Sequence, residues 1–271
     1  MKFATGARPD HPWTRARNAL VGAHPLAARI GASSSLPAAA SVAGYLPRVM
    51  DQGQTSGCVG HALAAAAWTA CAFAAARGSG KALPFVPSPA GIYTLARCLE
   101  RLDYARPLED SGSIPGDAIA SLVSWGVRPI QPLPDRYSDV DPATVNDEPK
   151  ILDLEADSAS VLVGAHPIST TGLARTLEVQ VALAAGYPVA LSVPGGSDAF
   201  QAYTGGILDA IDAPTDHYVL LSGYERIDGN LVFRGRNSWG EGFGEGGDFL
   251  VTEAFVERST ADLYAMSVRL P

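Results

Sequence analysis

Apolar positions follow two regimes along this chain. From Val59 to Arg77 the sequence is alanine-rich, with Leu63, Trp68, Cys71 and Phe73 and no proline, a pattern that predicts a largely buried helix ending at Gly78. Ile92, Leu95, Ala96 and Leu99 recur at helical spacing within Ala90–Leu102, and Ala118, Ile119, Leu122 and Val123 within Gly116–Trp125, which predicts two further helices. Residues 129–150 are rich in Pro and Asp and read as an irregular crossover. Beyond them the pattern changes to short apolar runs bounded by Gly, Pro or Asp. Ser160–Val163, Val189–Val193, Tyr218–Ser222, Leu231–Arg234 and Phe249–Val251 are strand-like, interrupted by one helix over Leu173–Ala185. Helices first and strands afterwards predict an α+β chain.

Composition narrows the function classes. Of 271 residues, 47% are apolar and 18% charged, as in an ordinary globular protein. The net charge of -8 argues against a nucleic-acid partner, because phosphate neutralisation needs a basic face. The charge is uneven. Residues 1–35 carry Lys2, Arg8, Arg15, Arg17 and Arg29 against Asp10, a net +4 that leaves -12 on residues 36–271. A basic leader on an acidic body can dock by long-range attraction. Those first residues have no sustained period, and Ser33–Ser35 reads as a linker. No apolar run reaches the roughly 18 residues of a membrane span, and the first ten residues lack a secretory hydrophobic stretch. The expectation is therefore no membrane partner and a protein that is cytoplasmic or exported by a route without a visible signal peptide. Three cysteines leave Cys71 and Cys98 as the one pair available if Cys58 stays free. Cys71 within a helix reads as a small buried hydrophobe, which favours a reducing compartment. His11, His24 and His166 lack Cys or carboxylate partners at ligand spacing, so no metal site is expected.

The chemistry gathers at Cys58. A Gly-rich turn, Asp51 to Gly57, runs into the alanine helix and places Cys58 in its first turn. Unpaired N–H groups and the helix dipole favour a thiolate there, which predicts a lowered thiol pKa. A proton partner is offered by His217, with the Asn237 amide oxygen to hold its imidazole in one tautomer. His61, one turn after the nucleophile on the same helix, is the internal competitor, and its position suits local packing or bonding better than reaching across a cleft.

These residues together resemble the papain-like cysteine peptidases. Four blocks match in order: Gln52 to Cys58; Phe200-Gln201-Ala202-Tyr203-Thr204-Gly205-Gly206-Ile207; Asp216-His217 with Gly223-Tyr224; and Asn237-Ser238-Trp239-Gly240 with Gly242, Gly244 and Gly247. The resemblance implies a two-lobe fold, residues 36–155 forming a mainly helical lobe and 156–271 an antiparallel β-barrel-like lobe, with the cleft between them. It implies Cys58 as nucleophile, His217 as general base and acid, Asn237 as orienter and Gln52 as side-chain donor of the oxyanion hole beside the Cys58 N–H. Trp239 would shield the Asn237–His217 bond from water. By position Ser113 would offer its backbone to a peptide, and Ile114, Pro115, Thr215 and a residue near Val193 would line an uncharged pocket for the second residue before the cut, with Asp216 adjoining. Residues 109–115 equally suit a helix-capping loop, and the two roles are compatible. The family usually has a cysteine where Thr55 stands and an aromatic residue where Val59 stands, and Ser-Gly-Cys replaces its commoner Gly-Ser-Cys. The implied activity is endopeptidase hydrolysis of a peptide or protein substrate without cofactor, and residues 1–35 read either as a disordered tail or as the short inhibitory pro-segment of a zymogen, docked in the cleft. Capture of the thioester by an amine would make a transpeptidase or ligase instead, and a catalytically silent binding module is the third reading.

Overall fold

The computed structural model describes residues 2–9, 36–80, 82–83, 86–101, 109–126 and 163–268. The Ser33–Ser35 linker, the crossover at 129–150, the start of the strand expected at Ser160 and leader residues 10–35 lie outside the described residues.

The helical part consists of α1 (Cys58–Ala76), α2 (Pro89–Arg101) and α3 (Pro115–Trp125), each within a residue of its predicted bounds at either end. Pro115 at the first position and Asp117 in the first turn suit the start of α3, and Gly126, at φ 77°, ends it. The remainder adds α4 (Leu173–Ala184), the short α5 (Asp198–Gln201) and α6 (Glu253–Arg258), and a sheet of eight strands. The strands are β1 (Ala40–Ser41), β2 (Val163–Ile168), β3 (Val189–Val193), β4 (Ile207–Leu208), β5 (His217–Ile227), β6 (Asn230–Arg236), β7 (Asp248–Thr252) and β8 (Ala261–Val268). Their order is β2-β8-β3-β5-β6-β7-β4, with β1 added to β5. All pairings are antiparallel except β4 with β7. The fold is α+β as expected, but the sheet does not close into a barrel.

Alternation along the central strands divides the core in two. Ala190, Tyr218, Leu220, Tyr264 and Met266 share one cluster with the apolar faces of α1, α2 and α3. Their neighbours Val189, Leu191, Val219, Leu221, Leu263 and Ala265 pack on the other side with α4, Phe200, Phe233 and Phe249. With both faces covered, β3 is buried at every position. The same double burial explains why β8 was not predicted: Leu263 to Ser267 is continuously buried and shows no polar alternation.

Helix α1 corrects one expectation. Its 19 residues contain an 18-residue window of mean hydropathy 1.5, long and apolar enough by composition to cross a membrane. Cys58 to Ala67 are all buried within the protein, so these positions face packed neighbours. The small residues allow α2 to approach closely: a Cβ added at Gly60 would lie 2.2 Å from the Pro89 carbonyl oxygen. Gly60→Ala is expected to destabilise the protein by about 1–3 kcal/mol, measured as a lower urea midpoint with an unchanged slope.

Candidate active site

Three elements converge on one point. Gly57 precedes α1 and Cys58 is its first residue, buried with 0% exposure. His217, also at 0%, opens β5, whose strand continues through the cluster under α1. Asn237 follows the last residue of β6. The ring nitrogen Nε2 of His217 lies 2.7 Å from Asn237 Oδ1. An amide oxygen can only accept, so Nε2 carries the proton and Nδ1 keeps the basic lone pair. Nδ1 is buried without a hydrogen-bond partner. Asn237 Oδ1 also accepts from the Ser238 N–H at 2.8 Å, which fixes the amide. The Trp239 ring lies on the imidazole, with centroids 4.4 Å apart and 29° between planes, and covers the pair.

Gln52 is buried beside them. Its Oε1 accepts from Ser238 Oγ at 2.6 Å, and its Nε2 donates to Thr55 O at 2.8 Å and to Ala4 O at 3.2 Å. Thr55, where the resembled family has a cysteine, donates its hydroxyl to Gln52 O at 2.7 Å and so closes the same turn without a disulfide. None of the three cysteines joins one. The His61 ring is turned along its own helix, with Nδ1 2.9 Å from Gly57 O.

The leader segment Phe3–Arg8 lies across this whole arrangement. Gln201, missed as a site residue although it stands in one of the matching blocks, pairs with the Phe3 backbone twice: Phe3 N–H donates to Oε1 at 2.7 Å and Phe3 O accepts from Nε2 at 3.3 Å. The Phe3 ring stacks on Trp239, with centroids 4.5 Å apart and 7° between planes. Ala4 O accepts from Trp239 Nε1 at 3.0 Å as well as from Gln52. The N–H groups of Gly6 and Ala7 both donate to Asp216 O at 2.9 Å. Ser113 N donates to Gly6 O at 2.9 Å and Arg8 N to Ser113 O at 3.0 Å, a parallel pairing of Ala7 with Ser113. Arg8 then forms a two-pronged ion pair with Glu100 and donates to Gly112 O at 3.1 Å.

Six residues were expected to bind substrate. Ser113, Asp216 and Trp239 all contact this peptide segment. Pro115 is buried at the start of α3, Ile114 is half-buried as its cap, and Thr215 is half-buried beside Asp216 without a hydrogen bond to residues 2–9. Asp110, not singled out in the sequence, holds the 109–114 loop against the turn before Cys58: its carboxylate accepts from Ser56 N at 3.0 and 3.1 Å and from Tyr93 Oη at 2.6 Å.

Electrostatics depart from the expected thiolate. Burial pushes the Cys58 thiol up to about 12, against hydrogen bonds from the backbones of Tyr218, Val59 and Gly6 that favour the anion. The N–H groups and dipole of the helix start favour a thiolate, but desolvation is the larger effect here. Burial likewise lowers His217 to about 4, opposed by the bond to Asn237 and assisted by the nearby His61. Under the leader the pair is therefore neutral.

Known proteins resemble this chain in sequence and in fold. Residues 157–263 match the family described as papain family cysteine protease. A probable cysteine protease, RD21C of Arabidopsis thaliana, is 33% identical over 88 residues, which is 32% of this chain and 20% of that relative's length. The structure of xylellain, a cysteine protease from Xylella fastidiosa, superposes with a TM-score of 0.70 at 22% identity, covering 100% of this chain and 98% of that one. Digestive procathepsin L 3 of Tenebrio molitor larval midgut gives a TM-score of 0.63 at 18% identity, with 95% and 79% covered. At these identities the structural likeness is one of fold. The described residues are papain-like in fold, and residues 157–263, which carry His217 and Asn237, are papain-like in sequence.

The neutral pair makes leader closure pH-dependent. Below 6.5, the ordinary imidazole value, an uncovered His217 takes up a proton that the covered one, at about 4, refuses. Closure therefore weakens as pH falls through that window. Above 9.0 an uncovered thiol loses a proton that the covered one, at about 12, retains, so closure also weakens as pH rises from there. Protection of the Gly6, Ala7 and Arg8 amides against hydrogen exchange, taken relative to the intrinsic rate at each pH, is expected to be lower at about pH 5 than at about pH 7.5. Protection that is equal at the two pH values, or higher at about pH 5, contradicts this.

Proposed function

We propose that this papain-like chain is a cysteine endopeptidase held closed by its own N-terminal segment. The observation that carries the proposal is that one stretch of peptide, Phe3–Arg8, simultaneously engages Gln52, Ser113, Asp216 and Trp239 and directs the Gly6 N–H at Cys58. A cleft that bonds a peptide backbone on both sides of a buried Cys–His pair is suited to holding a polypeptide substrate at that pair.

In the proposed reaction the leader leaves, water reaches the site, and the proton passes from Cys58 to His217 Nδ1. The thiolate attacks the scissile carbonyl carbon, forming a C–S bond, while Gln52 Nε2 and the Cys58 N–H receive the developing oxyanion. His217 returns the proton to the leaving amine as the C–N bond breaks. Water attacks the thioester, giving one proton to His217 and its hydroxyl to the acyl carbon; the C–S bond breaks, the carboxylic acid leaves, and His217 returns the proton to the sulfur. Asn237 keeps Nε2 protonated throughout, so that Nδ1 faces the thiol.

The leader resists cleavage for a geometric reason. With the scissile carbonyl at Gln52 and the preceding residues at Ser113, a substrate runs from Ser113 toward Gln52. The leader runs from Gln52, contacted by Ala4, toward Ser113, contacted by Gly6 to Arg8. It offers Cys58 an N–H where a substrate offers a carbonyl carbon.

Gly6 permits that approach, because a Cβ there would lie 2.2 Å from Ser56 O. Gly6→Ala is expected to raise peptide hydrolysis by the full chain about tenfold or more. In that background Cys58→Ala should abolish turnover and Gln52→Ala should lower kcat about 10²-fold. Product analysis with an added amine separates hydrolysis from transpeptidation, and turnover that survives Cys58→Ala would overturn the mechanism.

A further inference from the structure

The oxyanion hole proposed above depends on the direction of one backbone N–H, that of Cys58. That N–H belongs to the peptide unit whose carbonyl is Gly57 C=O. The unit is planar and trans, so its two polar ends point in opposite directions. Whatever fixes the Gly57 oxygen therefore fixes the Cys58 hydrogen. As the first residue of α1, Cys58 has no intrahelical acceptor for its N–H, which projects from the helix start.

The Gly57 oxygen accepts twice. The His61 backbone N–H donates at 3.2 Å, the ordinary helical bond, and His61 Nδ1 lies 2.9 Å away. A carbonyl oxygen can only accept, so Nδ1 carries a proton and the ring donates, in the neutral and in the charged imidazole alike. His61 is 1% exposed and packed among residues of α1, Tyr218 and Asn237 around the cavity they line together, so the ring is held in place. A second donor on the same carbonyl withdraws electron density through the conjugated unit and makes its N–H the stronger donor.

We propose that His61 is a positioning residue for the oxyanion hole: through Gly57 O it orients and polarises the peptide unit whose Cys58 N–H receives the developing charge. It touches neither substrate nor the reacting sulfur. This inference rests on the peptidase reading, and its test separates the two.

The experiment uses the full chain carrying Gly6→Ala, with His61→Val and His61→Thr added separately. The two side chains have nearly the same shape, but a threonine hydroxyl can donate to the carbonyl four residues back, as Thr69 already does to Ala65 O at 2.7 Å in the same helix. Three quantities are measured: kcat and KM for a peptide substrate, the inhibition constant of a peptide aldehyde, whose adduct with Cys58 places an oxyanion in the hole, and the rate of alkylation by iodoacetamide, a displacement that forms no oxyanion. His61→Val is expected to lose about tenfold in kcat and in aldehyde affinity, with KM unchanged, and His61→Thr to restore most of the loss, while any change in alkylation that follows from removing His61 from beside His217 is the same in both variants. Equal aldehyde affinities in the two variants, or a parallel fall in all three quantities, would overturn the inference. If the Gly6→Ala parent neither cleaves peptide nor alkylates at Cys58, the peptidase reading fails and takes the inference with it.

Discussion

Burial of Cys58 and His217 beneath six residues of the chain's own N-terminus is the constraint on which the rest of the site depends. Removing water from both groups disfavours both charges, raising the thiol and lowering the imidazole until neither ionises near neutrality. Under the proposed function the leader thus keeps Cys58 and His217 neutral without distorting their surroundings: the His217–Asn237 bond and the Gln52–Ser238 bond are already made. What changes on opening is solvent and charge, and the framework of side chains can remain as it is.

That framework comes from elements of different kinds meeting at their ends. The start of a helix supplies Cys58, the start of a long central strand His217, and the end of its neighbour Asn237. Covering the sheet on both faces makes those strand positions rigid. The rings of Trp239, Phe200 and Phe243 pack together behind the imidazole, with centroids 5.1 to 5.6 Å apart, and join the site to the second core cluster.

Much of this was legible in the sequence because it rests on local pattern. The unbroken alanines of α1, the glycine turn before Cys58 and the Asn-Ser-Trp-Gly stretch each announce their structure within a few residues. The path of the leader was not legible, because eight hydrogen bonds of its described residues use its backbone atoms, and Ala4, Gly6 and Ala7 carry almost no side-chain signal. Charge contrast suggested docking, and among the described residues it is expressed in one ion pair, Arg8 with Glu100. Asp110 and Gln201 act on partners 54 and 198 residues away, a separation that no local pattern reports. Strand β8 and the open sheet escaped for a related reason, since burial on both faces erases the alternation that marks a strand.

The central claim is that the leader and a substrate compete for the same line of backbone hydrogen bonds. Its most direct test is hydrogen exchange of the amides of residues 2–9, read by mass spectrometry before and after Cys58 is covalently loaded with an epoxysuccinyl peptide. Gly6, Ala7 and Arg8, whose N–H groups now donate to Asp216 and Ser113, should be protected in the free chain and lose that protection on loading. Protection that survives loading, or is absent from the outset, would contradict the account.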